Sequence, residues 1–279
     1  MRRLSLLGLV TTALTAPAAV PLVAQEADKG ATVWELAGLR SGFCVQLLLD
    51  PTSEVLGSLP GGFRPLPASN VTDLHVSLKS VVDGQPEYGS WSPSRLCFQA
   101  VDTIRTSEFT VADGSGKRPQ LFGMWTVAAA DSGGTPRDVT LELFATSGRL
   151  IRSARLAGHV VEEARLTVGK VPAEDENGIP SPDDRFQVKM GKTTVTWDGH
   201  LARDSTAVTA PVEASWTGEG PKGGMATGRL TLRPAYSRAM AGSLKVDGKG
   251  TFAKALRSSP TRFAGPAYQG GGGVVSLAQ

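Results

Sequence analysis

From Ser94 onward the apolar residues of this chain fall mostly in short runs broken by glycine, proline and aspartate, a strand-and-turn pattern. Strand-like runs cover 43–49, 95–104, 107–112, 121–130 and 138–146. Asp113-Gly114-Ser115-Gly116 and Asp131-Ser132-Gly133-Gly134 supply hairpin chemistry between them. An acidic, proline-rich loop at 172–184 precedes further runs at 185–190, 193–201, 206–216, 226–233 and 242–247, and a last short strand at 274–277. In Thr194-Val195-Thr196-Trp197 the large apolar residues alternate, as a half-buried strand requires. Helical spacing is confined to a few places. At 69–82, Leu74, Leu78, Val81 and Val82 share a face, with Ser69 or Asn70 as cap. A short helix is expected from Asp50-Pro51-Thr52-Ser53 to Leu59-Pro60. Residues 25–40 read as a loose opening segment and 63–67 as a proline-fixed extended piece. Residues 148–158 read as a helix or an irregular turn, 160–171 as a strand interrupted by charge, and 252–256 as a helical turn. About a dozen strands and a few short helices predict an α+β, mainly antiparallel β fold. Closure removes exposed strand edges, so the expectation is a closed or partly closed β-barrel with short helices outside. No internal repeat or long break divides the chain, and 25–279 is read as a single β-rich domain.

The start of the chain has another pattern. Met1-Arg2-Arg3 precedes an apolar stretch at 4–24 that closes on small residues, Ala16-Pro17-Ala18 and Leu22-Val23-Ala24. This is the layout of a secretory signal cleaved after Ala24. The stretch is also about long enough to span a bilayer, but Pro17, Pro21 and its threonines make a poor permanent helix. Arg2-Arg3 continues as Leu4-Ser5-Leu6-Leu7, which is no twin-arginine motif, and no cysteine near Ala24 invites a lipid. The expected location is the periplasm or the medium of a bacterium-like cell, with no stable membrane anchor after cleavage. The signal holds two of the 29 basic residues and none of the 26 acidic ones, leaving 27 against 26 and a net charge of +1. A near-neutral chain with scattered basic residues lacks the footprint of a nucleic-acid binder. Gly 33 and Pro 18 with only 6% aromatics suit a β-rich fold with many turns.

Cys44 and Cys97 each sit in a strand-like run, and two readings stay open: a disulfide, as export favours, or two buried thiols in neighbouring strands. The histidines His75, His159 and His200 stand at no metal-ligand spacing, so no metal and no cofactor is expected. There is no Gly-x-Ser-x-Gly elbow and no Ser-x-x-Lys. Asn70-Val71-Thr72 matches a glycosylation sequon and is read as chance.

The stretch Cys44-Val-Gln-Leu-Leu-Leu-Asp-Pro51, then Val55-Leu-Gly-Ser-Leu-Pro-Gly-Gly-Phe-Arg-Pro-Leu-Pro67, resembles the opening of acetoacetate-decarboxylase-like proteins. The segment Arg257-Ser-Ser-Pro-Thr-Arg-Phe-Ala-Gly-Pro266 has a similar flavour. The resemblance implies a β-barrel enclosing an apolar cavity, with helices packed outside. It also implies a Schiff-base lysine in a Gly-x-Pro-Lys motif near mid-chain. Residues 140–155 contain no lysine, and the similar string Gly218-Glu219-Gly220-Pro221-Lys222 falls late, in a glycine-rich loop. The decarboxylase chemistry is therefore expected to be missing.

The densest candidate segment is Pro86-Glu87-Tyr88-Gly89-Ser90-Trp91-Ser92-Pro93-Ser94-Arg95, read either as a cavity mouth or as a loop that plugs a barrel end. Trp91 offers an apolar wall and Arg95 an anion contact. Trp125 and Glu142 lie on candidate central strands, and Glu142 points away from Leu141 and Leu143, to a cavity or to water. These four are the candidate ligand-binding residues. Three functions remain: a non-catalytic exported barrel holding a small apolar or amphiphilic molecule, a divergent enzyme of the acetoacetate-decarboxylase-like superfamily, and a structural or interaction protein with a filled core.

Overall fold

The computed structural model describes residues 31–112, 119–168, 184–201, 211–220, 223–238, 240–259, 262–264 and 267–279. The expected signal at 1–24 lies outside them, as does Lys222. In chain order the first strands are β1 (Thr32–Leu49), β2 (Arg64–Pro65), β3 (Ser92–Arg105), β4 (Thr110–Ala112), β5 (Gln120–Ala130), β6 (Pro136–Ala145), β7 (Val161–Val168) and β8 (Asp184–Met190). They are followed by β9 (Thr193–Leu201), β10 (Val212–Glu219), β11 (Met225–Arg233), β12 (Tyr236–Arg238), β13 (Met240–Gly248), β14 (Arg262–Ala264), β15 (Ala267–Gln269) and β16 (Gly272–Ala278). The helices are α1 (Val76–Gly84), α2 (Gly148–Leu156) and α3 (Thr251–Ser258).

Strands β1, β3, β5, β6, β10, β11 and β16 each pair with the next, and β16 returns to β1, closing a seven-stranded barrel. Its pairings are antiparallel except β6–β10, which run parallel at Val139 and Thr217. The alternation of β11 shows which side is inside: Ala226, Gly228, Leu230 and Leu232 are buried, whereas Met225, Thr227 and Arg229 are exposed. The inner face gathers Trp34, Cys44, Cys97, Phe122, Met124, Leu143, Trp216, Leu230, Val275 and Leu277 into one core. Removing each such large side chain from water contributes roughly 1.5–3 kcal/mol. The amphipathic α2 adds Leu150, Ile151 and Ala154 to this core, and Trp34 Nε1 donates to Ser153 Oγ at 3.1 Å.

The other face of the long strands packs against a second sheet. β7 starts where β10 leaves β6, pairing parallel with it from Leu143 and Val161, and α2 makes the crossover that a parallel pair needs. The sheet then runs antiparallel through β8, β9 and β13. Val45, Leu47, Phe98, Trp125 and Phe144 from the long strands meet Val188, Val195, Trp197 and Leu244 from this sheet, with Phe252 and Leu256 of α3 between. One wall of strands therefore serves two cores, which is why β1, β3 and β5 are apolar at both parities.

Several local expectations change. β1 begins at Thr32, not after a loose segment to residue 40, because Thr32 to Ala37 form a ladder with Leu277 to Gly272. That partner is too distant in sequence to be read locally. The helix expected at 69–82 is divided into a 3-10 turn, Ala68–Asn70, and α1 from Val76. Val71 is extended, and His75 caps α1 by accepting from Ser77 N. The helix expected after Asp50 shrinks to a 3-10 turn, Leu56–Ser58, since the Asp50 carboxylate accepts from Thr52 N at 2.7 Å and holds a local turn instead.

Candidate ligand site in the barrel

Cross-strand register places a polar rung on the barrel's inner face. Arg95 of β3 lies opposite Gln46 of β1 and Thr126 of β5, and Thr126 lies opposite Thr140 of β6. Gly218 of β10 completes the rung without a side chain; a Cβ there would sit 3.3 Å from the Thr140 Cβ. Arg95 Nη2 is bonded to Asp138 Oδ2 at 2.7 Å, a half-exposed pair at the open side of the rung. The rung keeps three buried polar atoms without a hydrogen-bond partner among the described residues: Arg95 Nε, Thr126 Oγ1 and Thr140 Oγ1. Leaving such groups unpaired costs about 1–3 kcal/mol each, and together they present donors to an acceptor.

One rung deeper the lining turns apolar. Cys44 and Cys97 are direct cross-strand partners joined by a disulfide with Cα atoms 4.1 Å apart, beside Met124 and Leu143. Beyond these lie Gln99 and Trp216, each 2% exposed, with Gln99 Oε1 and Trp216 Nε1 also lacking a partner among the described residues. On the other side of the polar rung, Leu48 meets a small cluster from the segment before β3: Ala68, Leu78, Tyr88 and Trp91. The Tyr88 and Trp91 rings meet edge to face at 5.2 Å. His75, the α1 cap, has its pKa lowered by burial and, secondarily, by the Arg95 charge.

The four sequence candidates do not converge. Arg95 lies on the barrel's inner face, and Trp91 packs in the cluster beside Leu48. Trp125 and Glu142 are cross-strand partners, but on the opposite face of the wall, where Trp125 is in the second core and Glu142 is partly buried. Trp125 Nε1 donates to Ser94 Oγ at 2.7 Å, and its ring lies 4.2 Å from that of Phe252. Burial pushes the Glu142 carboxyl up to about 7, and the nearby Glu162 charge adds to the effect.

Thr126, Thr140, Gln99 and Trp216 escaped sequence reasoning. Threonine in a strand is an ordinary β-former, so the first two carried no signal. Gln99 did: a glutamine inside Leu96-Cys97-Phe98-Gln99-Ala100-Val101 is a polar residue at a buried parity. His159 is buried with Nε2 3.1 Å from the Thr227 carbonyl, which ties the turn after α2 to β11. The side chain of His200 is outside the described set. Among the described residues no cluster of three metal-ligating side chains occurs. Every lysine among them, Lys79, Lys189, Lys192, Lys245, Lys249 and Lys254, is exposed.

No protein-family model matches this chain, and no curated protein does. Solved structures do. The enduracididine biosynthesis enzyme MppR complexed with pyruvate is 11% identical, with a TM-score of 0.50 over 88% of each chain. The same enzyme with HEPES buffer bound is 10% identical at 0.49, over 88% of this chain and 86% of that one. An acetoacetate decarboxylase-like enzyme from Sphingomonas wittichii RW1 is 8% identical at 0.43, over 90% of this chain and 91% of that one. At such identities the likeness is one of fold. It agrees with the β-barrel expected from the sequence.

Proposed function

We propose that this protein is exported and holds a small amphiphilic molecule in its seven-stranded barrel, with the polar end of the guest on Arg95. The observation that carries the reading is the rung of unpaired buried polar atoms, Arg95 Nε, Thr126 Oγ1 and Thr140 Oγ1. A guanidinium N–H and two hydroxyls are donors suited to a carboxylate or another anionic head. The disulfide, Met124 and Leu143 beneath them suit the apolar remainder. The lysines support a binding role over Schiff-base chemistry. A Schiff-base lysine needs a depressed pKa, gained by burial beside another cation, and the described lysines are all exposed.

A second reading, a divergent enzyme, has one observation in its favour. The Glu142 carboxyl is pushed up to about 7, where it can give or take a proton at neutral pH. It stands across the wall from Arg95, so the two do not serve one reaction centre.

Isothermal titration of the mature protein with decanoate tests the binding reading, with Arg95→Met as the comparison. The expected result is saturable binding that weakens at least about tenfold in the variant, the scale of a lost charge-assisted hydrogen bond. Borohydride trapping with β-keto acids, followed by mass mapping, tests the alternative. An adduct on one lysine, lost when that lysine becomes alanine, overturns the binding role in favour of the enzyme.

A further inference from the structure

We propose that the outer face of α2, with the barrel end beside it, docks reversibly on an anionic lipid surface. Nothing in this depends on what the barrel holds. α2 turns Leu150, Ile151 and Ala154 into the barrel core and leaves Arg149, Arg152, Arg155 and Leu156 exposed. Positions 149, 152 and 156 follow the i, i+3, i+7 spacing that lines one side of a helix, and 155 lies one turn from 152. The helix carries three arginines and no acid. Among the described residues none of the three has a carboxylate partner. Arg155 Nη2 donates to the Val161 carbonyl at 2.9 Å, and Arg149 and Arg152 are not bonded within the fold. Three guanidinium groups on one face, none of them neutralised, set up a local positive field on a chain that is otherwise close to neutral.

Charge alone suits any polyanion, and the apolar side chains around α2 narrow the class. Leu156, 75% exposed, stands inside the arginine stripe. Val160 and Met225 are exposed as well, so three of the four exposed large apolar side chains among the described residues gather at one junction; the fourth, Val76, is on α1. The junction is tight. His159 Nε2 is 3.1 Å from the Thr227 carbonyl, and a Cβ at Gly220 would clash with the Gly158 carbonyl oxygen and lie 3.2 Å from that of Gly224. Leu156 and Val160 flank Gly158, and Met225 follows Gly224. The acids of the adjoining strands, Glu162 and Glu163 of β7 and Glu219 of β10, form no ion pair with the α2 arginines. A soluble acidic polymer gains nothing from exposed leucine, valine and methionine. A bilayer interface does, since it takes arginines at the headgroups and apolar tips just below them.

Co-sedimentation of the mature protein with vesicles tests the proposal, comparing phosphatidylglycerol mixed into phosphatidylcholine with phosphatidylcholine alone. Binding is expected to the anionic vesicles alone, and to weaken as salt rises. Arg149→Gln with Arg152→Gln is expected to weaken it at least about tenfold, because each basic residue near a charged surface contributes separately. That variant should melt as the native protein does, since neither side chain is bonded within the fold. Leu156→Ser is expected to weaken binding severalfold by removing an apolar tip from the interface. No binding to the anionic vesicles overturns the proposal. So does equal binding to phosphatidylcholine alone, or binding that survives the double arginine substitution, for the contact then lies elsewhere. An affinity untouched by Leu156→Ser overturns it too: the face then serves a soluble acidic polymer, and heparin should compete with the vesicles for it.

Discussion

Replacing Glu142 by glutamine is expected to stabilise the protein at neutral and alkaline pH, and to do nothing at pH 4. The carboxyl sits between the Trp125 side of the second core and the exposed Glu162, and its pKa is pushed up to about 7 from 4.5. Burial is the main cause and the Glu162 charge the lesser one. The sign follows from proton counting. Between 4.5 and 7 the folded chain holds a proton that the unfolded chain has released, so stability falls as pH rises through that window. Above it the loss is complete and constant. Each pH unit of the gap is worth about 1.4 kcal/mol, which makes the full loss about 3 kcal/mol as an upper figure. Glutamine keeps the shape and has no charge to bury. Urea unfolding of the native protein and Glu142→Gln, followed by tryptophan fluorescence at pH 4, 5.5, 7 and 8.5, reads the difference directly. The two curves of stability against pH should meet at the acid end and separate by about 2–3 kcal/mol at the alkaline end. Parallel curves, or a variant less stable at pH 8.5, would refute the placement of this carboxyl in a desolvated site.

Three further outcomes are expected. Reducing the Cys44–Cys97 bond, which joins residues 53 apart in sequence, should lower stability by about 4 kcal/mol on the chain-entropy account, seen as a fall in Tm of roughly 10 °C; an unchanged Tm in the presence of reductant counts against a cross-link in solution. Affinity for an anionic guest should rise as pH falls through the depressed titration of His75, because its added charge stands near Arg95, and His75→Gln should flatten that profile in calorimetry across pH 4.5–8. Gly228→Val should lower stability by about 1–3 kcal/mol in urea unfolding, because a Cβ at that position would lie 2.2 Å from the buried Trp216 indole and must displace it; an unchanged midpoint would show that the indole moves aside at no cost.

Much of the architecture was legible because alternation is a local signal. Runs such as 121–130 and 138–146 were visible as strands, and they form β5 and β6. The closure of the barrel was legible only as an argument about edges, since the β1–β16 ladder joins residues at opposite ends of the described chain. The site was harder. Arg95 stood out as a charge at the head of an apolar run, but Trp125 and Glu142 were assigned to the same site without knowing their face. A bulge between Trp125 and Thr126 shifts their register against β6, so Leu141 has no direct partner on β5. Parity counted along a single strand cannot reveal such a shift. Trp216 was invisible for a related reason, since its role depends on Phe122 and Gly228, which lie on two other strands.

The shared wall also governs the order of assembly. Thr32 pairs with Leu277, so the first described strand waits for the last before the ring can close. The second core draws on no residue of β10, β11 or β16, so all of its members precede the strand that closes the ring. Closing the ring joins residues far apart in sequence, which gives a high contact order and a correspondingly slow search. In a growing chain the barrel therefore stays open at the β1 edge until β16 emerges, while the second sheet already has every strand it needs.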